Sequence, residues 1–128
     1  MPGPARAGVL LYASDRDRLE RFYCEVAGMR RLHADEHIAV LESDDLQLVL
    51  HRIPPHIAAD IVITSPPQRR EDVAIKFFLT VPDLDLAAER IGALSGALFD
   101  ERWQGPGFIV CNAMDAEGNV FQVRKIYE

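Results

Sequence analysis

The sequence predicts an α+β domain of two βαβββ units, with curved mixed sheets forming a cleft and helices on their convex faces. Three observations predict it. Helix-boundary residues recur at an offset of 68 positions: Asp15 with Asp83, Asp17 with Asp85, and Gly28 with Gly96. Each recurrence frames an amphipathic helical stripe. Each stripe follows one short apolar run and precedes three more strand-like runs. Internal repeats of this kind decide a fold before any single element does.

The elements follow in order. Residues 9–13 form a short apolar run, read as a strand. Ser14 or Asp15 caps a helix in which Leu19, Phe22, Tyr23 and Val26 share one face. Arg16, Arg18, Glu20 and Arg21 lie off that face, and Gly28 stops the helix. Residues 30–34, 38–42 and 46–51 read as three strands, with Ser43-Asp44-Asp45 as the turn between the last two. The connector, residues 53–72, holds Pro54-Pro55 and Pro66-Pro67, and residues 61–64 are a candidate edge strand. The pattern then restarts with a strand over 74–81 and a cap at Asp83 or Asp85. A helical stripe of Leu84, Ala87, Ala88, Ile91 and Leu94 follows. Strands over 97–99, 108–114 and 120–125 complete the second unit. The turn Asp115-Ala116-Glu117-Gly118-Asn119 joins the last two. The expected organisation is one domain over 1–128, with unit one about 8–52 and unit two about 74–125.

A chain of 128 residues can bury a core without staples. Its formal charge of −6 and lack of a Lys/Arg cluster argue against nucleic acid as a partner. No apolar run approaches membrane-spanning length, and the N-terminus carries no signal-peptide pattern. The expected compartment is the cytoplasm. Two cysteines, Cys24 and Cys111, are too few for a disulfide framework and read as free thiols.

Several motifs, in this order, resemble the vicinal-oxygen-chelate superfamily of glyoxalases, bleomycin-resistance proteins and extradiol dioxygenases. They are Asp15 followed by Phe22-Tyr23 and Gly28, then Pro82-Asp83-Leu84-Asp85, then the 115–119 turn with Ala116 where the family has proline. The resemblance spans nearly the whole chain outside the connector. It implies a small-molecule site in the cleft and a homodimer that closes incomplete half-cups. It also implies metal-ligand positions at Gly8, at Gln47 or Val49, at Lys76 and at Gln122. Those residues are poor ligands. Glycine has no side chain, and an ammonium places positive charge where the ion would sit. No metal and no other cofactor is expected. His33, His37, His51 and His56 all lie in the first half, at spacings that carry little metal signal.

Strand parity sets Leu10, Tyr12, Lys76, Phe78, Thr80, Gln122 and Arg124 opposite the helices, with Gln47 and His51 sharing one parity in 46–51. Trp103 and Phe108 flank Gly105-Pro106-Gly107, where aromatics can stack on a planar ligand or simply pack. The reading is a metal-free binder of a partly apolar or aromatic molecule with an anionic group facing Lys76, possessing no assigned catalytic residue. The alternative is a lyase, isomerase or dioxygenase-like enzyme. It would use a metal on His51 and Glu42, or Lys76 as acid, base or Schiff-base nucleophile. The third reading is an interaction module without a ligand.

Overall fold

The computed structural model describes residues 7–127, which divide between Val62 and Ile63 into two compact units. Unit 1 contains β1 (Gly8–Ala13), α1 (Arg16–Ala27), β2 (Arg30–Ala34), β3 (Ile38–Glu42), β4 (Gln47–Arg52) and the short α2 (Pro55–Ala58). Unit 2 contains β5 (Phe78–Thr80), α3 (Leu84–Ala93), β6 (Ala97–Gly105), β7 (Phe108–Met114) and β8 (Val120–Ile126). The sheets have the same order, β1-β4-β3-β2 and β5-β8-β7-β6. In each, the first strand lies parallel to the last and the other neighbours are antiparallel. Both sheets are open and mixed, so the expected pair of βαβββ units is the architecture of the chain.

The helices form where caps and stripe agree. Asp15 accepts from the Arg18 amide at 3.1 Å, and Asp83 accepts from Asp85 and Leu86 at 2.8 and 3.0 Å. In α1 the buried residues are the four of the expected stripe, and Phe22 meets Tyr23 edge-on at 5.0 Å. They pack on Ala39, Leu41, Leu48 and Leu50, all fully buried. In unit 2, Leu84, Ala87 and Ile91 of α3 are buried with Phe121, Val123 and Ala113 of the sheet. Each fully buried large apolar side chain stabilises the fold by about 1.5–3 kcal/mol. These residues leave one face of each sheet free of helix.

Four expectations fail. The run over 74–81 is a strand only at Phe78–Thr80, because β5 pairs with β8 only from Phe78↔Gln122 to Thr80↔Arg124. Lys76 precedes that strand and is exposed. The short strand at 97–99 extends to Gly105, past an irregularity between Leu98 and Arg102, so Trp103 lies on β6 itself. Residues 61–64 form no strand. The helix repeat breaks at its end: α1 stops on left-handed Gly28 (φ 64°), whereas after α3 the left-handed residue is Ser95 (φ 71°) and not Gly96.

The connector's last part belongs with unit 2. The Arg70 amide donates to the Gly118 carbonyl at 2.9 Å, and Arg70 bridges to Asn119. The Arg69 guanidinium lies 3.6 Å from the centroid of Phe99. Beneath them the 115–119 turn is held by Asp115, fully buried. Its carboxylate accepts from the Glu117 amide at 2.9 Å, the Asn119 amide at 3.1 Å and the Asn119 side chain at 2.9 Å.

Candidate functional site

Strand register turns one-dimensional parity into a grid, since residues directly opposite one another share a face. On the helix-free face of unit 2, one row is Phe78, Gln122 and Asn112. The next is Thr80, Arg124, Val110 and Trp103, and a third is Ile126, Phe108 and Gly105. Six of the expected site residues therefore come together here: Phe78, Thr80, Trp103, Phe108, Gln122 and Arg124. Phe78, Trp103 and Ile126 are 47%, 41% and 61% exposed, an apolar surface interrupted by few polar groups. Val110, Asn112, Ile126 and Gly105 join them on this face without having been expected there. The parity of the 108–114 run could have found Val110 and Asn112.

Arg124 is the centre of this grid. Its guanidinium carbon lies 3.6 Å from the centroid of Phe78 and 4.1 Å from that of Phe108. Each such contact contributes about 0.5–1 kcal/mol. Ring faces accept no ordinary hydrogen bond, and the buried Nε of Arg124 has no hydrogen-bond partner. Among the described residues no carboxylate pairs with Arg124. A buried N–H left unmade costs about 1–3 kcal/mol, so the aromatic contacts fix the guanidinium in place without satisfying it. One residue over on the grid, the buried Oδ1 of Asn112 is likewise without a partner. The helix-free positions of β5, β7 and β8 include no acid and no imidazole, and Arg124 is their one cation.

On the corresponding face of unit 1 the rows are Gly8-Gln47-Glu42, Leu10-Val49-Val40 and Tyr12-His51-Ile38. Leu10, Tyr12, Gln47 and His51 thus share one face of one sheet. Tyr12 and His51 are in ring contact at 5.6 Å, tilted by 59°. His51 Nδ1 donates to the Arg52 carbonyl at 2.8 Å. Lys76 is not brought to either grid. Because it is exposed, it lacks the desolvation that an acid-base or Schiff-base role requires.

The metal positions implied by the resemblance can be tested against the register. Phe78 pairs with Gln122, and Leu10, its repeat partner, pairs with Val49; Val49 and not Gln47 is therefore the counterpart of Gln122. A Cβ on Gly8 would lie 2.8 Å from the Gln47 carbonyl oxygen, so that position has neither ligand nor room. The set is Gly8, Val49, Lys76 and Gln122, and it does not fit a divalent ion, which needs several oxygen, imidazole or thiolate donors. Glu42 and His51 do not replace it. Glu42 lies opposite Gln47, four residues along β4 from His51, about 13 Å at strand rise. Among the described residues no three His, Cys, Asp or Glu side chains gather to hold a metal.

Both cysteines are free. Burial, with Glu20 alongside, pushes the Cys24 thiol up, and burial pushes Cys111 up against the partial opposition of Arg102. Neither has the depressed pKa of a nucleophilic thiolate. The hollow at the start of α1, lined by Ser14, Asp15, Arg16, Asp17, Glu36 and Arg52, is internally neutralised in part, since Arg16 pairs with Asp17 and Glu20.

Two open βαβββ units with this topology define the vicinal-oxygen-chelate class. The chain belongs to the glyoxalase-like domain family, whose model matches residues 8–124. Solved structures share its fold. Lactoylglutathione lyase from Agrobacterium tumefaciens is 22% identical, with a TM-score of 0.61 and coverage of 98% of this chain and 96% of its own. TioX from Micromonospora sp. ML1 is 19% identical, with a TM-score of 0.63 and coverage of 98% and 100%. A fosfomycin resistance protein, FosX, from Listeria monocytogenes is 14% identical, with a TM-score of 0.65 and coverage of 100% and 94%. At these identities the likeness is one of fold. No curated protein sequence matches the chain. Among the described residues no helix is long and apolar enough to cross a membrane.

Proposed function

We propose that this chain is a metal-free binding protein for a small organic molecule, sequestering a drug or metabolite. The observation that carries the reading is the helix-free face of unit 2. It combines exposed aromatic and aliphatic side chains with a few polar groups, the usual make-up of a ligand site. The misfit of Gly8, Val49, Lys76 and Gln122 as a metal set supports binding without an ion. The lack of acids and imidazoles on that face of β5, β7 and β8 supports binding over acid-base chemistry.

The test pairs elemental analysis of protein purified without chelator with a thermal-shift screen of metals, organic acids and aromatic antibiotics. The expected result is substoichiometric metal, no stabilisation by zinc, nickel, manganese or iron, and stabilisation by organic ligands. Stoichiometric transition metal would overturn the reading in favour of a metalloenzyme.

We read residues 1–128 as one domain and its assembly as a homodimer. Support for the dimer comes from the apolar side chains exposed on the sheet of unit 1, Leu10 at 50% and Tyr12 at 60%, which a second copy would cover. Light scattering showing a monomer at micromolar concentration would exclude it. The cytoplasm remains the proposed location, to be checked by fractionation.

A further inference from the structure

Resting on the binding reading above, the geometry points to the ligand's class: we infer that unit 2 takes a planar aromatic monocarboxylate, with Arg124 as the partner of its carboxylate.

Four observations carry this. Arg124 is the one charged residue on the helix-free positions of β5, β7 and β8, and among the described residues it has no acid partner. A guanidinium in such a setting is satisfied by an oxyanion, because its N–H fork matches a carboxylate in two parallel hydrogen bonds. Phe78 and Phe108 hold it at 3.6 and 4.1 Å, so the fork is positioned before the ligand arrives. Gln122 and Asn112, in the next row of the same face, are neutral polar side chains beside the cation, suited to a second polar group on the ligand such as a ring hydroxyl.

The choice of one negative charge follows from counting cations. Arg124 is the single positive residue on the helix-free positions of β5, β7 and β8, since Lys125 takes the opposite parity. The chain carries a formal charge of −6, which repels a polyanion such as a nucleotide. The choice of an aromatic body follows from Phe78, Trp103 and Ile126, all exposed on this face, which offer stacking area beside the cation. Trp103 stands in the same cross-strand row as Arg124, two strands away, about 10 Å. As the only tryptophan in the chain it reports on occupancy of the face.

The experiment titrates the full chain with 2-naphthoate, 3-hydroxy-2-naphthoate and the neutral 2-naphthamide, followed by calorimetry and Trp103 fluorescence. Both acids should bind, with 2-naphthamide weaker by about ten- to a hundred-fold, the cost of a lost charge-assisted hydrogen bond. Arg124→Lys keeps the charge and loses the fork, and should bind 2-naphthoate about ten-fold more weakly; Arg124→Gln should lose more. If Arg124→Gln does not fold, the acid-against-amide comparison on the wild-type chain decides alone. Equal affinity for acid and amide, or an Arg124→Gln protein that binds 2-naphthoate as wild type does, would overturn the inference while leaving a metal-free binder standing. No binding of any naphthyl probe, with Arg124→Gln altering the oligomeric state, would overturn it by assigning the face to a second copy of the chain. Stoichiometric metal by elemental analysis is the separate result that removes the binding reading itself.

Discussion

A Cβ on Gly118 would lie 2.0 Å from the carbonyl oxygen of Gln68. Gly118 has a φ of 85°, and its own carbonyl accepts from Arg70. The turn that closes β7 on β8 is therefore also the seat on which the connector rests. Gly118→Ala meets two penalties, a left-handed backbone that disfavours any side chain and a collision with main chain that cannot swing aside. The expected cost is about 2–4 kcal/mol, read as a lowered midpoint in urea. An unchanged midpoint would mean that residues 68–70 do not sit on this turn in solution.

Ser95 offers the opposite case. It holds the left-handed position after α3 (φ 71°) that glycine usually takes, while Gly96, one place later, is not left-handed. Ser95→Gly should stabilise the protein by about 0.5–1 kcal/mol, a rise in Tm of roughly 2–5 °C. A fall in Tm would show that the Ser95 side chain contributes more than its backbone strain costs.

These two positions illustrate what was legible in the sequence. The caps Asp15 and Asp83, the stripe Leu19-Phe22-Tyr23-Val26 and the 115–119 turn are local signals, each set by residues within one or two turns of chain. They are legible in the sequence and define the fold. Lys76 falls outside β5 because the length of that strand depends on its partner, and the 74–81 run shows nothing of where β8 stops pairing. Trp103 lies on β6 and not beside a loop because that strand continues beyond 99 past an irregularity, a tertiary effect. Strand parity alone makes Arg124 one cleft residue among several. Its contact with Phe78 and Phe108 joins the β7–β8 hairpin to β5, some 30 residues earlier in the chain, and no local pattern encodes it.

Acid stability supplies a further prediction. The backbone amides of His37 and Ile38, at 2.8 and 2.9 Å, and the His33 ring hold the Asp35 carboxyl well below the usual carboxylate range. A group whose folded pKa is depressed stabilises the native state above its unfolded pKa, about 3.9, and that stabilisation is lost as pH falls through the folded value. Asp35→Asn should therefore be less stable than wild type at neutral pH. The gap should narrow once pH drops below about 4. Parallel denaturation curves at pH 3, 5 and 7 measure it, and a gap that widens in acid would contradict the assignment.

The last prediction concerns the support of Arg124. A Cβ on Gly105 would come 2.2 Å from Cζ of Phe108, with the two Cε atoms at 2.5 and 2.8 Å. The Phe108 ring thus lies over a glycine on the neighbouring strand, and that bare backbone is what lets it lean against Arg124 at 4.1 Å. The clash in Gly105→Ala is with the far end of a side chain, so the ring moves aside while the strands stay paired. Stability should fall by about 1 kcal/mol or less, mostly the loss of one cation–π contact. The specific consequence is at Arg124, whose Nε–H and Cδ protons lie in the ring currents of two phenyl groups. In Gly105→Ala their NMR shifts should move toward ordinary arginine values, with the Phe78 contribution retained. Phe108→Leu should give the same displacement without any clash. If Gly105→Ala left the Arg124 signals in place, Phe108 would not be held by Gly105, and the pre-positioning of the guanidinium would rest on Phe78 alone.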